Sequence, residues 1–87
     1  MPISREPAME RVEIYGWTVH DQQGWRAIAV AVRASAGGKH RRLERPAGSA
    51  DEALETLVKL SAALATMCKR RGKRVLLRMF EHAPAGL

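Results

Sequence analysis

The chain has 87 residues, 46% hydrophobic and 28% charged, enough for one small core and too short for two domains. Fifteen Lys and Arg against nine Asp and Glu give a net charge of +6, which favours anionic partners, and a single cysteine excludes a disulfide framework. The longest apolar run, Ala27 to Val32, has six residues where a bilayer-spanning helix needs about 20, and no apolar stretch of a secretory signal follows Arg5 and Glu6, so a cytoplasmic location is expected.

Residues 1–10 contain Pro2 and Pro7 without periodicity and read as a flexible N-terminal segment. Residues 11–82 read as a single α+β domain, and 83–87 as a flexible tail. From Arg11 to His20 the β-branched and aromatic residues Val12, Ile14, Tyr15, Trp17, Thr18 and Val19 predict a first strand. Asp21 to Gly24 suits a type I turn with Gly24 in the left-handed position of a bulge, and Trp25 to Ser35 returns as a second strand. Placing Asp21 opposite Trp25 sets Ile14 against Val32, Gly16 against Val30 and Thr18 against Ile28. It also sets Tyr15, Trp17 and Val19 against Ala31, Ala29 and Ala27, and pairs Glu13 with Arg33, so that large meets small and acid meets base. A slip by one residue would instead pair Trp17 with Ile28 and exchange the faces.

A turn at Ala36, Gly37 and Gly38 leads to a short third strand, His40 to Arg45, stopped by Pro46. Its cations would guard a sheet edge against pairing with another chain. Ser49 to Glu52 has the spacing of a capping box and starts a helix. Its apolar arc includes Ala53, Leu54, Leu57, Val58, Leu64 and Cys68, while Lys69, Arg70 and Arg71 answer the dipole at the C-terminus and Gly72 suits the residue beyond it. Arg74 to Phe80 reads as a fourth strand. The resulting order β-β-β-α-β implies a four-stranded mixed sheet, spatial order 3-2-1-4, with one long helix on one face.

Two basic clusters stand out. Lys39, Arg41, Arg42 and Arg45 lie around the third strand; Lys69, Arg70, Arg71, Lys73, Arg74 and Arg78 surround the end of the helix and the fourth strand. The helix should span about 33 Å at 1.5 Å per residue, against about 17–20 Å for a typical strand, so its basic end should project beyond the sheet. The opposite end collects His20, Asp21, Asp51, Glu52, Glu81 and His82, giving the fold a charge dipole. A single helix covers one sheet face, so a second apolar face, offered by Tyr15, Trp17, Val19, Trp25, Ala27 and Ala29, is a candidate homodimer interface.

Catalytic chemistry finds little support. Gly37, Gly38 and Lys39 lack the other positions of a phosphate loop, Cys68 sits in the helix's apolar arc without metal-ligand spacing to a partner, and the serines have no adjacent base. The aromatics could stack on bases, but packing is their commoner use. No cofactor or metal is expected. The strand and helix order, with Ser49 to Leu57 as its capped amphipathic helix, resembles a truncated ribonuclease H architecture and is similar to the small HicB-type antitoxins. That resemblance implies a partner-masking role. The leading expectation is a non-enzymatic, dimeric binding module whose cations contact an anionic partner such as nucleic acid or an acidic protein. The alternative is a protein-interaction or assembly module that uses the apolar sheet face.

Overall fold

The computed structural model describes residues 10–33, 40–80 and 82–83. Lys39, the Ala36 to Gly38 turn, Glu81 and the terminal segments, apart from Glu10 and Ala83, lie outside them. The fold is α+β. Strands β1 (Arg11–Asp21), β2 (Gly24–Arg33), β3 (His40–Ala47) and β4 (Arg74–Phe80) form one sheet in the order β3-β2-β1-β4, and helix α1 (Ala50–Arg70) packs on it. β1 is antiparallel to β2 and parallel to β4, and β2 is antiparallel to β3.

Local chemistry defines each boundary. The Gln23 amide donates to the Asp21 carboxylate at 2.9 Å, and Gly24 takes the left-handed conformation (φ 92°) that closes the β1–β2 turn. Ser49 accepts from the Glu52 amide at 3.2 Å and caps the helix. At the other end Gly72 (φ 74°) donates to the Lys69 carbonyl and the Lys73 amide to the Cys68 carbonyl, the two bonds of a Schellman motif. Pro46 does not end β3, which runs on to Ala47. As the outer strand, β3 loses little from a missing N–H.

The β1–β2 register differs by one residue from the expected one. Asp21 pairs with Gly24, His20 with Trp25, Trp17 with Ile28 and Ile14 with Ala31. The expected pairing matched large residues to small ones across the strands. The sheet instead segregates them by face. Gly16, Ala27, Ala29 and Ala31 share the helix-facing side with Val12 and Ile14, making a shallow seat on which Leu57, Leu60, Leu64 and Ala65 rest. A Cβ at Gly16 would stand 2.7 Å from Leu57 Cδ1 and 2.9 Å from Met79 Sδ, so any larger residue there would have to displace both side chains. The physical reason for the shift is the approach of the helix: its close contact selects the register that puts the small residues beneath it.

The other face carries a second cluster. Trp17, Ile28 and Val30 are each 2% exposed, with Tyr15, Val19 and Val32 packed against them. Arg42 places its guanidinium 5.9 Å from the Trp17 ring centroid, and Tyr15 stacks on Phe80 at 5.9 Å. Glu13 lies opposite Val32 rather than Arg33, and its carboxylate accepts from Arg78 Nε at 3.1 Å and the Tyr15 hydroxyl at 3.2 Å.

Candidate functional site

Parallel alignment of β1, β3 and β4 brings their first residues to one end of the sheet, together with the end of β2 and the C-terminus of α1. Cations from five separate elements or their flanks therefore meet. Arg11, Arg33, Arg41, Arg70, Arg71, Lys73 and Arg74 all lie at this end, whereas Asp21, Asp51 and Glu52 lie at the other. Among the described residues the acidic end also carries Arg26, paired to Asp21, and Arg45, so the charge dipole is weaker than the sequence implied.

Within the basic end is a cleft of about 370 Å³. Its floor is apolar, built from Val12, Ala31, Leu64, Met67 and Cys68, and its rim carries Arg33, Arg41, Arg71 and Lys73. Each rim cation arrives by a local rule. Arg33 follows Ala31 on the helix-facing side of β2, and Arg41 lies opposite Ala31 on β3. Arg71 is the C-cap of α1, and the Schellman turn directs Lys73 back toward the sheet.

Glu10 bridges two of these cations, reaching Arg33 Nε at 3.7 Å and Lys73 Nζ at 3.5 Å, and its carbonyl accepts from the Arg74 amide at 3.0 Å. Lys73 is only 12% exposed, packed into the cleft wall and not part of a projecting knob. Arg41 and Arg71 are exposed and make no ion pair among the described residues. They supply the uncompensated charge of the cleft.

The other expected cations divide. Arg78 pairs with Glu13, and Arg42 reaches Glu44 at 3.4 Å as well as facing Trp17. Arg45 lies on β3 opposite Ala27, away from the cleft, and donates to the neighbouring Glu44 carbonyl at 3.1 Å. Lys69 and Arg70 are exposed on the last turn of α1, and Arg74 is exposed at the start of β4. Arg33, on the cleft rim, was not among the expected contacts, because the register that paired it with Glu13 treated its charge as spent. Arg26, also outside the expected set, is held by Asp21 and Glu44 at 2.6 Å each. The Arg26 hydrogen bond, with help from Arg42, holds the Glu44 carboxyl below its ordinary range against the opposing effect of burial. This triad braces β3 and the end of β1 to β2 and leaves Arg26 no positive charge for an anionic ligand.

The expected apolar interface does not form one surface. Ala27 and Ala29 are fully buried beneath α1, and Trp17 is closed off on the opposite face, while Tyr15 and Val19 are half-buried there. Trp25 pairs with His20 and stacks on its ring at 4.4 Å. His20 and His82 do line one cavity with Trp25 and Val19. Among the described residues, however, no group of three or more His, Cys, Asp or Glu could hold a metal ion. Nor is any described helix long and apolar enough to cross a membrane.

Comparison with protein-family models, curated proteins and solved structures returns no match. The resemblance to HicB-type antitoxins thus gains nothing from them.

Proposed function

We propose that this chain is a non-enzymatic binding module that grips the phosphates of a nucleic acid with the basic end of its sheet. The observation that carries the reading is convergence: Arg33, Arg41, Arg71 and Lys73, spread over 40 positions of the sequence, rim one cleft. A solvated surface charge needs no such gathering, and Glu10 compensates only part of it. An apolar floor beneath paired guanidinium groups suits a partner with an anionic backbone and flat, poorly solvated bases.

The test is a titration of a labelled single strand and a labelled duplex over a salt series. Binding should weaken linearly in log–log form as salt rises. Replacing Arg41 and Arg71 by Glu should weaken it more than replacing Lys69 and Arg70, because only the first pair lines the cleft. Absence of binding to either nucleic acid at low salt would refute the reading, and capture of an acidic protein with the same arginine dependence would reassign the partner.

A further inference from the structure

Every exposed large hydrophobic residue among the described ones lies on one border of the molecule. Leu76 (39%), Leu77 (49%), Met79 (46%) and Phe80 (39%) are on β4, and Leu54 (55%) and Val58 (64%) are on α1. Among the described residues β4 pairs with β1 alone and ends the sheet, so its outer row of amides and carbonyls faces away from the fold. The helix residues belong to the same border. Ser61, three positions after Val58, sits with its hydroxyl 3.8 Å from Met79 Sδ, which places the Leu54 and Val58 flank beside β4.

We infer that β4 and this helix flank are the interface for a second copy of the chain, joined edge to edge about a two-fold axis. A two-fold axis lying across two edge strands makes them antiparallel. That orientation sets the basic end of one copy beside the acidic end of the other. The helix flank repeats the same complementarity: Asp51, Leu54, Val58, Ala62 and Lys69 follow helical spacing along one stripe, acid at the start and base at the end. Because the helix rests over β1 and β2, the two stripes then face each other head to tail across a groove floored by Leu77 and Met79 of both copies, with Asp51 of one on the side of the partner copy's Lys69. An uncharged partner would leave both ends unanswered.

The charges on β4 agree with this arrangement. Arg78 is already paired to Glu13 of its own sheet, so its charge is answered before the edges meet. Joining the edges leaves the cleft open, because no residue of β4 lines it. It also points the two clefts in opposite directions.

Sedimentation equilibrium of the full chain over a hundredfold concentration range tests the inference. The wild type should be a dimer, and Val58→Asp or Leu77→Asp should make it a monomer. Val58 is mostly solvent-exposed, so a folded far-UV spectrum is expected for its variant. Asp51→Lys and Lys69→Asp should each weaken the dimer by about tenfold, and the double exchange should restore it. A wild-type monomer at millimolar concentration overturns the inference, as does a dimer unaffected by both Val58→Asp and Leu77→Asp. Failure of the double exchange to rescue overturns the head-to-tail orientation.

Discussion

The two edges of this sheet are built on opposite rules. β3 exposes Arg41, Arg42, Arg45 and Pro46, residues that repel or cannot pair with an approaching strand. β4 exposes Leu76, Leu77, Met79 and Phe80 and has beside it two uncovered apolar residues of the helix. A chain that needed only solubility would guard both edges. Guarding one and leaving the other adhesive fits the proposed division of labour, with anion contact beside the guarded edge and self-association at the open one.

The contrast depends on the helix resting where it does, so the largest effect should come from lifting it. Gly16→Val would drive a side chain into Leu57 and Met79. A loss of about 1–3 kcal/mol in denaturant unfolding is expected, with both dimerisation and anion binding weakened together. Erasing the guard on β3 is the next test. With Arg42→Leu and Arg45→Leu the second edge becomes adhesive too, and light scattering should show species larger than a dimer. The Arg42 change also removes a contact to Trp17 worth about 0.5–1 kcal/mol.

Ser49→Ala should cost about 1 kcal/mol by removing the helix cap. It should spare the contrast, leaving dimerisation and salt dependence as they are, which separates general destabilisation from loss of either edge. The smallest effect concerns pH. Because the folded Glu44 carboxyl is held below its ordinary range by Arg26, its contribution is present above the unfolded value and is lost as pH falls through the folded one. The Glu44 carboxyl resonance followed by NMR should therefore titrate below the range of a free glutamate, and Arg26→Met should return it there.

How far these edges could be foreseen depends on what kind of signal each residue gives. Order and topology were legible because the punctuation is local: Gly24 and Gly72 adopt the left-handed conformations expected of them, and Ser49 caps the helix it was expected to cap. The β1–β2 register was not, since cross-strand pairing rules weigh two strands alone and the deciding contact came from the helix above Gly16. That one-residue shift hid Arg33 from the candidate site and dissolved the expected apolar interface. Leu54 and Val58 show the same blindness from another direction. Helical periodicity identified them as apolar positions, but the arc is wider than the seat on the sheet, and periodicity cannot distinguish burial at home from burial against another copy. The basic end itself was legible, because topology alone brings the strand starts and the helix end together.

Affinity for a labelled single strand, measured against salt concentration for the wild type, Arg41→Glu/Arg71→Glu and Val58→Asp, tests the central division most directly. The account predicts a negative slope for the wild type, flattened by about 1.4 in the double arginine variant if each removed contact is worth about 0.7 on a single strand. Per chain, Val58→Asp should retain the wild-type slope. A slope unchanged by the loss of Arg41 and Arg71, or one that disappears with Val58→Asp alone, would contradict the account.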